Sequence, residues 1–461
     1  MMTDYRVAVI GAGPAGFYAA EHLLASAAPM VQIDMFDRLP TPWGLVRAGV
    51  APDHPMIKSV SSQYVEIAAH PRYRFFGNIE LGRDVSREDL LSRYDAVLYS
   101  IGARSERRLG IAGEDLPGSL AASDFVAWYN GHPDLAALAP DLSGTRAVVI
   151  GNGNVALDVA RMLLLPHDVL RRTDTADHAL AALAASSVRD VTILGRRGPA
   201  QAAFTTPELR EIIGIEGLEV AVQADDLTLP DDLEPSERRR AQRNLAALER
   251  APVRGSPGDG RRLTFRFSRS PIAIRGHGRV QEIEVGVNRL ERHGEQVRSV
   301  DTGAREVIPT DLVIRAIGYR GTAIPGVAFD DHAGAIPHVG GAVVSGDREY
   351  VAGWIKRGPS GVIGTNRGDA VETAERLLAD LASTGPSAAP AAAVLDWLGG
   401  RCPNLVDQAG WMRIDRHEMV LGLADERPRV KLVAVADLLA AARGDGTPAD
   451  LSLALAQARA Q

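Results

Sequence analysis

Residues 7–24, VAVIGAGPAGFYAAEHLL, predict an apolar strand, a glycine-rich turn and a helix in direct succession. A second stretch of the same kind, AVVIGNGNVALDVARML, occupies residues 147–163. Such a turn directs backbone N–H groups at the start of the helix toward a pyrophosphate, and the helix dipole favours the negative charge. Two non-identical copies therefore predict two bound dinucleotides and electron transfer between them.

The strands and helices around the two turns predict an α/β fold with two Rossmann-like β-α-β dinucleotide-binding domains. In the first unit we expect a strand at 6–10, a helix from Pro14 to about Ala27, and a strand at 31–36. The second unit predicts these elements: a strand at 146–150, a helix to about Leu165, a helix near 177–185 and a strand at 190–194.

The remaining segments give a coarser pattern. Residues 38–59 are rich in proline and glycine and predict a long loop, a feature that is usually functional inside a compact domain. Antiparallel strands are predicted in 261–271, in 279–290 and onward to 303, after a polar segment at 225–260. The stretch 348–381 predicts a strand, a glycine-rich turn and a long helix, and short elements are expected from there to Gln461.

Composition narrows the class of protein. The 461 residues carry a net charge of -7, which argues against general binding to nucleic acid. The single cysteine, Cys402, forms no internal disulfide and suits the reducing cytoplasm. No apolar run reaches the roughly 18–20 residues that span a bilayer, and the first turn begins too early to leave room for a leader. We expect a cytoplasmic protein without membrane insertion and without a metal site.

The residue after the second strand of each unit indicates which nucleotide binds. Asp37 occupies this position in the first unit, where a carboxylate accepts hydrogen bonds from ribose hydroxyls and repels a 2′-phosphate. Arg196 and Arg197 occupy it in the second unit, where paired guanidinium groups suit a 2′-phosphate. The first unit therefore favours FAD or NAD, and the second favours NADPH over NADH.

A helix start follows the arginine pair closely. We expect Thr206 to cap this helix, with Pro207 at its first position. Glu208 has two interpretations that the sequence does not separate: favourable charge in the first helical turn, or a contact with the nicotinamide ribose.

The chemistry depends on where the electrons leave. A disulfide reductase would need a cysteine pair, and an iron–sulfur subunit of the glutamate synthase type would need cysteine ligands; one cysteine excludes both. Electron delivery to an iron–sulfur protein, a flavin monooxygenase and a non-catalytic NADPH-binding module stay open. A set of arginines could attract an acidic partner or could be a solvated surface: Arg238, Arg239, Arg240, Arg243, Arg262, Arg266 and Arg269.

With these residues in place, the chain resembles the adrenodoxin-reductase type of ferredoxin–NADP reductases over nearly its full length. The similar blocks are GAGPAGFYAAEHLL, PTPWGLVRAGVAPDHPMIK at 40–58, IAGEDLPGS at 111–119, VVIGNGNVALDVARMLL, GRRGPAQAAFTTPELRE at 195–211 and GWIKRGPSGVIGTN at 353–366. The second and the last of these are long and specific.

This resemblance implies an FAD domain made of residues 1–105 and 326–461, the latter including a C-terminal tail, with an NADP domain at 106–325 inserted between them. It implies that electrons pass from NADPH to FAD and singly to an acidic ferredoxin, which could serve a cytochrome P450. The residues assigned to FAD are Gly11, Gly13, Gly16, Asp37, Leu45, Val85, Trp354, Gly361, Val362 and Ile363. The residues assigned to NADP are Arg107, Asn152, Gly153, Asn154, Val155, Arg196, Arg197, Glu208 and again Gly361. His54 and Glu211 match polar positions near the ring pair and are the candidate catalytic residues.

Overall fold

The computed structural model divides the chain into two compact units. It describes residues 5–223, 229, 234–249, 260–294, 296–386 and 390–445. Unit 1 consists of Met1–Ser105, Asn130–Ala136 and Gly318–Gln461, and unit 2 of Glu106–Tyr129 and Ala137–Ile317. Part of the polar segment predicted at 225–260 and the last part of the tail, 446–461, lie outside the described residues.

Unit 1 is built on an eight-stranded sheet whose centre is parallel. Its strands, in spatial order, are His338–Val339, Ala342–Val343, Glu349–Val351, Ala96–Tyr99, Tyr5–Ile10, Val31–Phe36, Tyr73–Gly77 and Val406–Asp407. The five from Glu349–Val351 to Tyr73–Gly77 run parallel, and the short edge strands pair antiparallel. The sheet thus contains the predicted β-α-β unit at its middle.

Successive side chains of the first strand point to opposite faces of this sheet, and both faces are covered. Val7 and Val9 belong to one hydrophobic core and Ala8 and Ile10 to another, and all four are buried. A central strand of a parallel sheet is apolar on both sides because helices pack on each face. The helices of unit 1 are Pro14–Ala25, Leu45–Ala48, Pro55–Lys58, Ser61–Ala68, Arg87–Leu91, Trp354–Arg357, Thr365–Ala382, Ala391–Arg401, Gln408–Ala424 and Val435–Arg443, with a 3₁₀ turn at Pro133–Leu135.

Two expectations for unit 1 need correction. The predicted loop at 38–59 contains two short helices, Leu45–Ala48 and Pro55–Lys58, the second of which begins at a proline that suits a first helical position. The region expected to hold only short elements includes the 17-residue helix Gln408–Ala424. Its buried residues Trp411 and Ile414 join the core of unit 1, so the end of the chain is part of the domain.

Unit 2 is built on a six-stranded parallel sheet. The spatial order is Ser119–Ala121, Leu312–Arg315, Arg146–Ile150, Asp190–Leu194, Arg262–Arg266 and Glu219–Val222. Its helices are Ala122–Tyr129, Asn154–Leu164, His167–Leu170, Asp177–Ala184, Thr206–Ile213 and Pro235–Glu249, with a 3₁₀ turn at Pro199–Gln201. The strands predicted at 146–150 and 190–194 are confirmed to the residue.

A three-stranded antiparallel sheet covers one face of this parallel sheet. Its strands are Arg269–Arg275, Glu282–His293 and Gln296–Pro309. Ile283 and Val285 share a hydrophobic core with Val148 and Val313 of the parallel sheet. The prediction of antiparallel strands is wrong for the first part of 261–271, because Arg262–Arg266 pairs parallel with Asp190–Leu194 and Glu219–Val222.

Short strands are also present at Ser105–Glu106 and Tyr319–Arg320. Among the described residues, none of the helices combines the length and the apolar character that crossing a membrane requires.

Candidate functional site

The first glycine turn is shaped by close backbone approach. Gly11 has φ +105° and donates its N–H to the Phe36 carbonyl at 2.7 Å. A Cβ at Gly11 would lie 2.6 Å from the Ser100 carbonyl oxygen, and one at Gly16 would lie 2.3 Å from the Gly11 carbonyl oxygen, so larger side chains do not fit. Helix Pro14–Ala25 starts at Gly13 without a side-chain cap, which leaves its first N–H groups for an anion.

Asp37 lies beside this turn and is held by two backbone donors. Its Oδ2 accepts from the Ala12 N–H and its Oδ1 accepts from the Leu39 N–H, each at 2.9 Å. Burial raises the pKa of Asp37, and these two hydrogen bonds and the charges of Arg104 and Arg38 oppose that shift. The carboxylate is therefore fixed in orientation next to the glycine turn, as a ribose contact requires.

A cleft opens at the carboxyl ends of the parallel strands of unit 1. Its lining includes Gly11 and Asp37, together with Ile10, Phe36, Arg38, Ile79, Glu80, Leu81, Ile101, Gly102, Arg104 and residues 322–325. Ligands of doubly wound sheets bind at this edge. An apolar wall with the fixed carboxylate of Asp37, a second carboxylate from Glu80 and two arginines fits the adenosine end of a dinucleotide.

His132 extends the polar edge of this cleft through Arg38. Its Nδ1 accepts from the Asp134 N–H at 3.1 Å, its Nε2 lies 3.4 Å from an Arg38 nitrogen, and Arg38 also pairs with Asp134. Burial and the neighbouring arginine charges outweigh Asp134 and lower the pKa of His132 from 6.5 to about 4. His132 is therefore neutral in the folded protein at physiological pH.

This lowered pKa predicts a loss of stability in mild acid. The unfolded chain binds a proton at His132 below about pH 6.5 and the folded chain only near pH 4, so the folded state loses about 2 kcal/mol between pH 8 and pH 5. His132→Asn keeps an acceptor for the Asp134 N–H and removes the titration. The free energy of unfolding in urea should differ less between pH 8 and pH 5 for this variant than for the native protein. An equal difference in the two proteins would contradict the lowered pKa of His132.

The segment after the second strand is folded back onto the glycine turn. Trp43, at φ +84°, donates its N–H to the Ala12 carbonyl at 2.7 Å. A Cβ at Gly44 would lie 3.0 Å from the Cα of Gly13. Leu45 begins the next short helix, and Val85, buried, lies in the second hydrophobic core. The predicted FAD residues Leu45 and Val85 are thus both in unit 1.

A buried ion network anchors this segment to the helix Gln408–Ala424. Glu418, which has no exposed surface, accepts from both terminal nitrogens of Arg47, at 2.8 and 2.5 Å, and from Arg429 at 3.2 Å. Burial would raise the pKa of Glu418, but the two arginines lower it. Sequence reasoning missed Glu418. Its signal is an acid on the apolar face that Trp411 and Ile414 define, about two helical turns after the first of them and one turn after the second.

The third glycine-rich segment contains the remaining residues that are predicted to contact FAD. Trp354 begins a short helix, is partly exposed, and has its ring 5.5 Å from that of Tyr319, so it is not a core aromatic. A Cβ at Gly353 would lie 2.6 Å from the Cβ of Ala15, which brings this turn against the first one. Gly361 and Val362 are exposed, and Ile363 packs on the core of unit 1.

The second glycine turn, in unit 2, uses its two asparagines differently. The Asn152 carbonyl accepts from the N–H groups of Ala203 and Phe204, and the Asn154 side chain accepts from the Thr205 N–H at 2.8 Å. The buried Nδ2 of Asn152 has no hydrogen-bond partner among the described residues, which leaves a donor for a bound group. Gly153 and Val155 complete this helix start.

Arg196 and Arg197 follow the strand Asp190–Leu194, as predicted. Arg196 is exposed and Arg197 half-buried, and neither forms an ion pair within the described part of the chain. Burial and the charge of Arg196 lower the pKa of Arg197. Two adjacent guanidinium groups with no acidic partner among the described residues suit a dianion.

The helix after the arginine pair is capped by Thr205 and not by Thr206. The Thr205 hydroxyl accepts from the Glu208 N–H at 3.5 Å, whereas the Thr206 hydroxyl donates to Asn244 at 2.6 Å. Glu208 lies 3.8 Å from the buried Arg161, which also bonds Asp158. Glu208 therefore has a structural ionic contact in addition to its predicted contact with ribose.

The other predicted residues fall in both units. Arg107 is exposed in unit 2. His54 is buried at the start of helix Pro55–Lys58 in unit 1, and Glu211 is exposed on helix Thr206–Ile213 in unit 2.

Some of the arginines that could attract an acidic partner form ion pairs within unit 2. Arg262 pairs with Glu219 at 3.1 Å, and Arg266 and Arg269 share Glu306. Arg239 and Arg243 are exposed on helix Pro235–Glu249. The side chain of Arg240 lies outside the described residues.

Two Rossmann-like sheets, each with a glycine turn at a helix start, define a flavin- and pyridine-nucleotide-dependent oxidoreductase. A family model described as pyridine nucleotide-disulphide oxidoreductase matches residues 5–214. NADPH-ferredoxin reductase FprA of Mycobacterium tuberculosis is 49% identical over 451 residues, which is 95% of this chain and 99% of that protein. Mitochondrial NADPH:adrenodoxin oxidoreductase of Salvelinus fontinalis is 42% identical over 458 residues, which is 95% of this chain and 91% of that protein.

The solved structure of Mycobacterium tuberculosis FprA in complex with NADPH matches with a TM-score of 0.93 and 49% identity, covering 96% of this chain and 100% of that one. The chain belongs to the family of NADPH–ferredoxin reductases that includes adrenodoxin reductase. The predicted family, fold class, enzyme class and cofactor pair of FAD and NADP are thereby confirmed.

Proposed function

We propose that unit 1 binds FAD, that unit 2 binds NADPH as a domain inserted into the FAD domain, and that electrons pass from NADPH through FAD to an acidic ferredoxin. The chemical difference between the two glycine turns carries this assignment. Asp37, fixed by two backbone N–H groups, stands beside the first, and the arginine pair stands beside the second. A carboxylate repels a 2′-phosphate and guanidinium groups bind it.

When bound, FAD accepts a hydride from NADPH and releases electrons singly to a one-electron carrier. The residues of unit 1 then bind and orient it: the turn around Gly11 and Gly16 receives the pyrophosphate, Asp37 accepts from ribose, and Trp354 with Val362 borders the ring. In unit 2, Asn152 and the arginine pair hold NADPH. Since hydride transfer needs stacked rings at about 3–3.5 Å, positioning is the main contribution of the protein.

His54 and Glu211 are our proposed catalytic residues, acting on the geometry of hydride transfer or on a proton near the rings. Burial of His54 at a helix start gives it a fixed position. Stopped-flow reduction of the flavin by NADPH should slow in His54→Ala and in Glu211→Ala while FAD content stays constant. Unchanged rates in both would remove these roles.

Anaerobic titration of the purified holoenzyme tests the assignment. NADPH should bleach the flavin absorbance at about one equivalent, because one hydride reduces one FAD, and NADH should do so only at much higher concentration. Adding an oxidised ferredoxin should restore the absorbance. A flavin that NADPH does not bleach would favour the binding-module alternative, and reoxidation only by oxygen with an organic substrate would favour the monooxygenase.

The acidic partner is supported by the exposed Arg239 and Arg243 and is tested by salt. Exposed charges steer association through a potential that salt screens within about 8–10 Å. Cytochrome c reduction through ferredoxin should therefore fall steeply from 50 to 300 mM salt, while direct ferricyanide reduction changes little. Equal responses would reject electrostatic docking. We also propose that the ferredoxin passes its electrons to a cytochrome P450, and a reconstituted assay with such an enzyme tests this.

We further propose that the enzyme works in the cytoplasm. The single thiol, Cys402, is buried, and burial raises its pKa, as suits a structural cysteine in a reducing compartment. Fractionation of the source cells should recover NADPH-dependent ferricyanide reduction with the cytosolic fraction.

A further inference from the structure

The loop that carries the arginine pair is held by its backbone from the antiparallel sheet of unit 2. Three consecutive carbonyls accept hydrogen bonds from that side: Gly195 from the Arg269 N–H at 2.9 Å, Arg196 from the Asn288 side chain at 2.8 Å, and Arg197 from the Ser268 N–H at 3.1 Å. The only side-chain donor among these three is Asn288.

Asn288 is placed for this contact by an irregularity in its strand. It is 9% exposed and lies where the pairing of Glu282–His293 with Gln296–Pro309 shifts register, between Gly286 and Asn288. Before the shift, Ile283 and Val285 are buried; after it, Asn288 is buried and Arg289 exposed. A shift of one residue reverses which side chains face inward, so Asn288 faces the parallel sheet.

Asn288 is fixed by three hydrogen bonds, two from its side-chain amide and one from its backbone. Its Nδ2 donates to the Arg196 carbonyl and to the Ser270 hydroxyl, both at 2.8 Å, and its backbone N–H donates to the Ser268 carbonyl at 2.8 Å. The contact with Arg196 is therefore made by a group that has little freedom to move.

We propose that Asn288 is a positioning residue that sets the preference for NADPH over NADH by fixing the backbone of Arg196. This inference rests on the proposed role of the arginine pair. Two adjacent guanidinium groups repel each other, and a free loop would let them separate. Hydrogen bonds to the loop carbonyls keep both cations in position for one dianion before the ligand binds. This lowers the ordering cost of binding.

The test measures binding of adenosine 2′,5′-bisphosphate and of 5′-AMP to the holoenzyme by calorimetry, together with KM and kcat for NADPH and NADH. In Asn288→Ala we expect affinity for the bisphosphate to fall about 5- to 30-fold, the size expected for one lost buried hydrogen bond. Affinity for 5′-AMP, KM for NADH and kcat at saturating NADPH should stay within about twofold.

Thr302→Ala is the matched control, because its hydroxyl donates to the Val287 carbonyl of the same strand at 2.7 Å and forms no hydrogen bond with the loop within the described residues. It should leave the ratio of the two affinities unchanged. Ser270→Ala removes the second anchor of the amide, should lower the ratio about 2- to 5-fold, and carries the test if Asn288→Ala does not fold.

The inference is overturned if the ratio of the affinities for adenosine 2′,5′-bisphosphate and 5′-AMP is unchanged in the folded Asn288→Ala variant. If that variant does not fold, an unchanged ratio in Ser270→Ala overturns it. Equal losses for both nucleotides do the same. If replacing Arg196 and Arg197 also leaves bisphosphate binding intact, the proposed role of the pair fails instead, so the two failures are distinguishable.

Discussion

Replacing Arg196 and Arg197 together by alanine should raise KM for NADPH about 100- to 1,000-fold and KM for NADH less than about threefold. Each charge-assisted hydrogen bond to a phosphate contributes about 1.5–3 kcal/mol, and two such groups act on the 2′-phosphate. Neither arginine has an acidic partner among the described residues, so their removal leaves no buried carboxylate behind. Steady-state ferricyanide reduction with both nucleotides measures the effect.

Arg171 and Arg172 provide the matched control, because they are likewise adjacent and in unit 2, and both are exposed. Replacing this second pair removes the same charge and should shift KM for NADPH less than about threefold, since exposed charges at a distance are screened. A comparable rise in KM for NADPH in the two double variants would show a general charge effect. An equal rise in KM for NADPH and for NADH on replacing Arg196 and Arg197 would show that the pair does not bind the 2′-phosphate.

Glu418→Ala should destabilise the protein by about 3–5 kcal/mol and weaken retention of FAD. Removing one partner of a buried ion network leaves uncompensated charge, which is the costly case. Arg47 would lose its two hydrogen bonds to the carboxylate, and Arg429 would keep Asp415 as a partner at 2.6 Å. Arg47 stands in the short helix Leu45–Ala48, which follows the residues packed on the first glycine turn.

Urea unfolding followed by circular dichroism gives the stability change, and flavin fluorescence after dilution gives the release of FAD. Glu418→Gln keeps the shape and removes the charge, so it should lie between the native protein and Glu418→Ala. Glu375→Ala, an exposed acid on helix Thr365–Ala382, should change stability by less than about 0.5 kcal/mol. A Glu418→Ala protein as stable as this control would mean that the network contributes no net stabilisation.

Local patterns gave reliable predictions where the periodicity was strong. The strands at 31–36, 146–150 and 190–194 agree with the structure to the residue, because each is a short, mostly apolar run that is followed at once by a glycine or a charged residue. The start of the first helix at Pro14 also agrees, and its end falls at Ala25. The positions of Asp37 and the arginine pair followed directly from these strand ends.

Predictions failed where pairing partners decide the outcome. The stretch 261–271 alternates in a way that suits either kind of sheet, and only Asp190–Leu194 beside it makes Arg262–Arg266 parallel. Thr205 and Thr206 are equally good caps by composition, and the hydrogen bond of Thr206 to the distant Asn244 selects Thr205.

The sequence by itself determined the two nucleotide turns, the charge that distinguishes them and the family, because a turn, its strand and its helix are contiguous and their chemistry is local. Only the tertiary structure decided that Glu418 holds Arg47, next to the segment packed on the first turn, and that Asn288 contacts the loop of the arginine pair. Glu418 reaches Arg47 across 371 residues of chain, and Asn288 reaches Arg196 across 92. Contacts of that separation depend on how sheets and helices pack, and a single register shift turns Asn288 inward, which no local pattern specifies.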